Sequence, residues 1–234
     1  MKRYGMTIAG AASYALAVTV LAWYAWWALV PERILSPTGR LAALLTACGL
    51  MYVGGRLLSP HLHQRLRTIP MRANLWGWFA LYLLLLATLT LFDPYYGRGG
   101  RLAPASWNGQ LLKLYLTYNF NILPGHMVAD MILSVMNGSI SLKMALVNIF
   151  GNFAALMPTA FFLPQLFQRQ RRFKTFALTV GVMVALIECT QFITLSGTFD
   201  IDDWILNVGG ACLMFRLLEA PKGRQWMETF LGKA

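Results

Sequence analysis

The chain has 234 residues, 57% of them hydrophobic and 12% charged, with a formal net charge of +11. A soluble globule of this size carries about 25% charged residues, so the composition excludes an ordinary soluble domain and indicates a polytopic membrane protein. The basic excess fits membrane-flanking loops that face anionic lipid, and no aromatic–basic pattern argues for a nucleic-acid partner.

A membrane span needs about 20 mostly apolar residues. On that measure the sequence predicts an all-α transmembrane helix bundle of about six spans: residues 6–30, 41–58, 75–92, 144–167, 173–195 and 204–218. Spans one and three are almost purely apolar and read as lipid-facing scaffold. Trp23, Tyr24, Trp26 and Trp27 are expected to form an aromatic belt at the outer interface. Basic residues then set orientation. Lys2 and Arg3 precede the first span. Arg56, Arg65, Arg67 and Arg72 lie at or between the second and third. Arg169, Arg171, Arg172 and Lys174 separate the fourth from the fifth, and Arg216, Lys222, Arg224 and Lys233 follow the sixth. These alternating groups hold most of the 20 basic residues, so both termini are expected in the cytoplasm. The expected organisation is a two-span scaffold with a basic cytoplasmic loop (1–74), a membrane domain (75–218) and a cytoplasmic tail (219–234).

The long loop between spans three and four, residues 93–143, falls outside. It opens with the turn-like "DPYYGRGGRLAP". Further on, "HMVADMILSVMNG" places Met127, Val128, Met131, Ile132, Val135 and Met136 on one helical face. That spacing predicts an amphipathic helix on the outer leaflet or over the bundle, or else an ordinary packed loop helix. "LLKLYLTYNFNILP" offers a second interfacial piece. Cys48, Cys189 and Cys212 all fall in apolar stretches, without disulfide or metal-ligand spacing. His61 and His63 read as cytoplasmic surface residues; His126 is the histidine on the outer side.

Polar residues concentrate in the last three spans. Glu188 is the one acid inside a span, a placement that costs about 2.5–3.5 kcal/mol on insertion scales. Gln191 follows at i+3 on roughly the same face. Asn148 and Asn152 share a face of span four. "GTFDIDDWILNVGG" (197–210) places Asp200, Asp202 and Asp203 at the mouth of span six, with Asn207 one turn beyond. The expected arrangement is a polar site open to the outer leaflet, built from Asn148, Asn152, Glu188, Gln191, Asp200, Asp202, Asp203 and Asn207. Structural readings stand beside it. The asparagines serve equally as interhelical hydrogen bonds, worth about 0.6–2 kcal/mol. Asp203 serves equally as the N-terminal cap of span six. Glu188 serves equally as a buried hydrogen-bonded acid. Pro158 and Pro164 read as kinks, and Gly151, Gly209 and Gly210 as points of close helix approach.

"NIFGNFAALMPTAFFLPQLF" and "LIECTQFITLSGTFDIDDWILNVGGA", with "NILPG" upstream, resemble the VanZ-like family over about residues 93–218. The E-x-x-Q and D-x-D-D-x-x-x-N elements are the specific part. Thr198 stands where the family commonly has arginine. The resemblance implies an integral membrane protein of the cell envelope, with a named member linked to low-level teicoplanin resistance; it implies no chemical reaction. The expected function is binding or reorganising a lipid-linked or lipoglycopeptide ligand among membrane lipids. The alternative is a metal-dependent enzyme on a lipid phosphate or peptidoglycan lipid intermediate, with Mg²⁺ or Ca²⁺ on the carboxylates and Glu188. A proton-coupled transporter centred on Glu188 is the third reading.

Overall fold

The computed structural model describes residues 2–29, 36–92, 108–194 and 197–232. The turn-like segment 93–104, with Asp93, Arg98 and Arg101, lies outside the described residues, as do Glu32, Arg33 and Lys233. Among the described residues the fold is all-α, apart from one pair of two-residue strands. Helices form over α1 (Lys2–Leu29), α2 (Pro37–Leu58), α3 (Ile69–Ala87), α4 (Gly109–Tyr118), α5 (His126–Met136), α6 (Leu142–Ala155), α7 (Thr159–Leu166), α8 (Phe173–Thr194), α9 (Ile201–Glu219) and α10 (Pro221–Leu231). The strands are β1 (Phe120–Asn121) and β2 (Phe199–Asp200).

Among the described residues, five stretches are long and apolar enough to cross a membrane: Tyr4–Trp27, Thr38–His61, Gln64–Leu91, Leu142–Leu166 and Phe173–Thr194. Many of their large apolar side chains are exposed, among them Ile8, Leu16, Leu45, Phe150, Leu178 and Leu186, and a bilayer would cover them. The segment read as a sixth span forms α9. It carries Asp202 and Asp203 in its first turn and Arg216 and Glu219 at its far end, so its apolar middle is short and it does not join the five. Span four is broken as the prolines suggested. Leu156 ends α6 and Pro158 caps α7. Pro164, by contrast, sits within α7, which runs on to Leu166.

The chain divides into two compact units, Met1–Leu89 and Thr90–Ala234. In the first, α1 and α2 pack along each other and α3 packs on α2. Tyr24, Ala43 and Leu44 form a core with Val20, Leu21, Leu81 and Leu85 against them. Tyr24 therefore leaves the expected aromatic belt for the interior, while Trp23 and Trp26 stay exposed. The third helix begins at Ile69, ahead of the expected start at 75, with Pro70 in its first turn where a missing N–H costs nothing. That brings Asn74 inside the helix and buries it at 1% exposure. Its Nδ2 donates to the Met51 carbonyl at 2.7 Å, and its Oδ1 accepts from the Tyr14 hydroxyl at 2.8 Å. One amide thus ties α1, α2 and α3 together.

The second unit is organised around α9, which packs against α6, α7, α8 and α10. Phe176 of α8 stacks on Phe215 of α9 with ring centroids 4.7 Å apart, and Val180, Val184 and Ala211 fill the same interior. Trp204 Nε1 donates to the Gly181 carbonyl at 3.1 Å. α6 comes closest at Gly210: a Cβ there would stand 1.8 Å from the Phe153 carbonyl oxygen. Only glycine permits this approach.

Candidate functional site

Carboxylates accept hydrogen bonds and donate none, and inside an apolar bundle the free N–H donors are at helix starts. The Asp200–Asp203 segment exploits this. Asp200, 8% exposed, is the N-cap of α9: its Oδ1 accepts from the Asp202 amide at 2.8 Å. Its Oδ2 accepts from Asn121 Nδ2 at 3.1 Å. The expected cap, Asp203, is one turn too deep for that role. Instead it accepts from Asn152 Nδ2, and its backbone carbonyl accepts from Asn207 Nδ2 at 2.8 Å.

Asp202, 4% exposed, reaches across to another helix. Its Oδ1 accepts from the Gly125 amide at 2.6 Å and its Oδ2 from the Met127 amide at 2.9 Å. These are the first orphan amides of α5. The N-cap of α5 is Gly125, in the left-handed region at φ +85°, and has no side chain to offer. Asp202 therefore supplies that cap from α9, where the α5 dipole also favours its charge. Alongside, β1 pairs in parallel with β2, Asn121 opposite Asp200. Phe120 and Phe199 stack at 4.8 Å over the pair. "NILPG" and "FDIDD" are thus two halves of one hydrogen-bonded knot.

Glu188 and Gln191 belong to a second cluster. Both are buried, at 5% and 4% exposure. Gln191 Nε2 donates to the Thr90 carbonyl at 2.7 Å. Tyr115 of α4 packs edge-on against Phe192 at 5.0 Å and donates to the Gly197 carbonyl at 2.8 Å. Burial pushes the Tyr115 phenol above its ordinary pKa of 10.0, and the Glu188 charge adds to the rise. The phenol is accordingly a neutral donor at physiological pH.

Of the eight residues expected in one site, the structure joins Asn152, Asp203 and Asn207 in one set of contacts. It joins Asp200 and Asp202 in another, and puts Glu188 and Gln191 in the second cluster. Asn148 is exposed on α6 and hydrogen-bonds to no described residue. Tyr115, Asn121, Gly125 and the Met127 amide were not expected in the site. The "NILPG" turn is the sequence signal for Asn121 and Gly125, since its asparagine and glycine mark a backbone needing outside partners. Among the described residues, no three His, Cys, Asp or Glu side chains gather as a metal-holding group. The carboxylates diverge towards internal N–H donors.

Beside the knot lies an open groove of about 540 Å³. Asn121, Thr198 and Asp200 line one side, and His126, Asp130 and Ser134 of α5 the other. His126 Nδ1 stands 3.1 Å from Asp130 Oδ2. Thr198 faces this groove. The apolar side of α5 is only partly covered: Met127, Val128, Met131 and Val135 are half-buried, and Ile132 and Met136 are exposed.

The helical fold and its membrane-length apolar stretches define an all-α membrane protein. Within that class, the VanZ/LLP1 family model matches residues 79–220, which include every residue of the knot and both clusters. The chain belongs to the VanZ/LLP1 family. Neither the curated proteins nor the solved structures give a match.

Proposed function

We propose that this protein is a multi-pass cell-membrane protein with both termini cytoplasmic. It binds or reorganises a lipid-linked ligand at the outer leaflet and lowers sensitivity to teicoplanin-type lipoglycopeptides. The observation that carries the reading is the groove beside the knot. It offers polar side chains and the His126–Asp130 pair to a head group, and the exposed Ile132 and Met136 of α5 to a lipid tail. On this reading the acids act as scaffolding. They fix α5 against α9 and so hold the groove open, and Asp200 also lines it. The resemblance to a family with a teicoplanin-resistance member supplies the ligand class.

The test is susceptibility to teicoplanin and vancomycin in a Gram-positive host, at membrane levels matched by blotting. It compares empty vector, wild type, Asp202→Asn, Ser134→Phe and Thr198→Arg. Wild type is expected to protect against teicoplanin more than vancomycin. Ser134→Phe fills the groove without touching the knot and is expected to abolish protection; Asp202→Asn loosens α5 and is expected to weaken it. Thr198→Arg is expected to alter protection, since it adds a cation to the groove. No protection by wild type, or full protection by Ser134→Phe, overturns the reading.

A further inference from the structure

The other end of α9 carries a second site, built from residues that play no part in the knot. The chain leaves α9 at Glu219 and restarts at once as α10, with Pro221 in its first turn. The elbow is tight. A Cβ on Gly223 would stand 2.2 Å from the Leu217 carbonyl oxygen, so glycine is needed for α10 to fold back against α9. α10 is amphipathic: Trp226, Met227, Phe230 and Leu231 share one side, and Lys222, Arg224, Gln225, Glu228 and Thr229 take the rest. Trp226 stacks on Phe230 at 5.2 Å, and both rings meet Phe161 of α7, yet Trp226 stays 53% exposed. An exposed tryptophan on a basic amphipathic helix at the end of a membrane bundle is the pattern of an interfacial helix.

Under the elbow is a cavity of about 350 Å³. Its floor is apolar, with Pro164, Phe215, Leu218 and Met227. Its rim carries Arg171, Arg224, Glu219 and Glu228. Two of these charges are partly engaged. Arg216 lies over the Phe173 ring at 3.9 Å and pairs with Glu219 at 2.9 Å, and Arg224 stands 4.0 Å from the other Glu219 oxygen. Arg171 is held through its Nε on the Pro164 carbonyl at 3.2 Å, and its terminal nitrogens bond no described residue. Glu228 likewise has no described partner. The rim therefore presents two guanidiniums that suit a phosphate and, beside them, the exposed Glu228 carboxylate, which suits a cation.

We infer that this elbow cavity seats the head group of an aminophospholipid. Its phosphate lies at Arg171 and Arg224, its primary ammonium at Glu228, and its acyl chains lie along the Phe161–Trp226–Phe230 cluster. The charges decide the class. An anionic phospholipid satisfies the arginines but leaves Glu228 facing a negative head group. A choline head group has the right charge but no N–H to donate. A primary ammonium satisfies both. The site is independent of the outer groove, and either can fail without the other.

Full-length protein in detergent, delipidated and then titrated with phosphatidylethanolamine, phosphatidylglycerol or phosphatidylcholine, tests this by native mass spectrometry. Wild type is expected to retain phosphatidylethanolamine best. Arg171→Gln with Arg224→Gln is expected to weaken retention of that lipid about tenfold, the scale of a lost charge-assisted hydrogen bond. Glu228→Gln is expected to erase the preference over phosphatidylcholine while leaving phosphatidylglycerol binding unchanged or stronger. Lys222→Gln, on α10 but off the cavity rim, controls for bulk charge and is expected to bind as wild type does. Helicity and melting temperature of each variant show that it is folded. Equal retention of the three lipids, preference for phosphatidylglycerol, or an unchanged arginine double variant overturns the assignment.

Discussion

Each unit buries a polar group among apolar helices, and they do it with opposite chemistry. In the first, Asn74 is neutral and carries both donor and acceptor. A hydroxyl and a carbonyl satisfy it in mid-helix, where Tyr14 and Met51 happen to lie. In the second, the groups are carboxylates, which need N–H donors, and helix interiors have none to spare. The acids therefore sit at the start of α9 and reach the start of α5. The difference shows how these groups are satisfied: the Asn74 amide finds its partners along neighbouring helices, whereas Asp200, Asp202 and Asp203 meet helix starts or a side-chain amide. This explains why three acids fall within four residues of a largely apolar chain.

The sharpest way to break the comparison is to pry α6 from α9. Gly210→Val places side-chain atoms on the Phe153 carbonyl and is expected to destabilise the second unit by about 3 kcal/mol, the upper range for overpacking. Maleimide labelling during a thermal ramp separates the units, because Cys212 belongs to the second and Cys48 to the first. Cys212 should become reactive at a lower temperature and Cys48 should not. If both shift together, the units do not unfold separately and the contrast between them loses its energetic meaning.

Next in size is the borrowed cap. Asp202→Ala takes the acceptor from two part-buried backbone amides and is expected to cost about 2 kcal/mol, the upper range for a lost N-cap. Hydrogen exchange at Gly125 and Met127 should speed up together, with the start of α5 fraying. Asp202→Asn keeps one acceptor and should fall between alanine and wild type. Unchanged exchange at both amides would mean that α5 does not depend on α9 for its start.

How much of this was legible beforehand follows from what each feature depends on. The helices and their rough limits follow from apolar run length, a local property. The α5 amphipathic face was readable for the same reason, and so was the break at Pro158. The family resemblance was carried by Glu188, Gln191 and the Asp200–Asn207 spacing, all readable in order along the chain. The pairing was not readable. That Asp202 caps α5 depends on two segments about 75 residues apart meeting at one β-bridge, and nothing local in either announces the other. Asn74 falls outside the expected span because the apolar run starts at 75, whereas the helix itself starts six residues earlier at Ile69 and takes the amide in. The division of the eight residues into separate contacts was hidden because shared depth along a span says nothing about which neighbour a side chain faces.

A smaller effect is expected at Tyr115. Its raised pKa means that the folded state holds the proton more tightly than the unfolded state does. The stabilisation is therefore complete below the ordinary value of 10.0 and is lost as pH rises through the higher folded value. Tyr115→Phe should cost about 1 kcal/mol at neutral pH. Melting curves between about pH 8 and pH 11, spanning the ordinary tyrosine range, should show wild type losing its advantage over the variant as pH rises. A constant difference across that range would mean that the phenol does not ionise in the unfolded chain's favour and that its bond to Gly197 is not what matters.

The smallest effect, and the one that most sharpens the contrast, is at Asn74. Bacteriorhodopsin-type measurements put an interhelical hydrogen bond in a membrane at about 0.6 kcal/mol on average, since the unfolded helices find partners too. A double-mutant cycle with Tyr14→Phe and Asn74→Leu should return a coupling of about that size, read from the temperature at which Cys48 becomes reactive. The acid knot should behave differently under the same treatment. A cycle between Asp200→Asn and Asn121→Ala removes a charge-assisted bond and should return a larger coupling, of order 1.5 kcal/mol. If the neutral node proves the stronger of the two, the acids are not retained for the bonds they make to the scaffold. They would then be better explained by what they present to the groove.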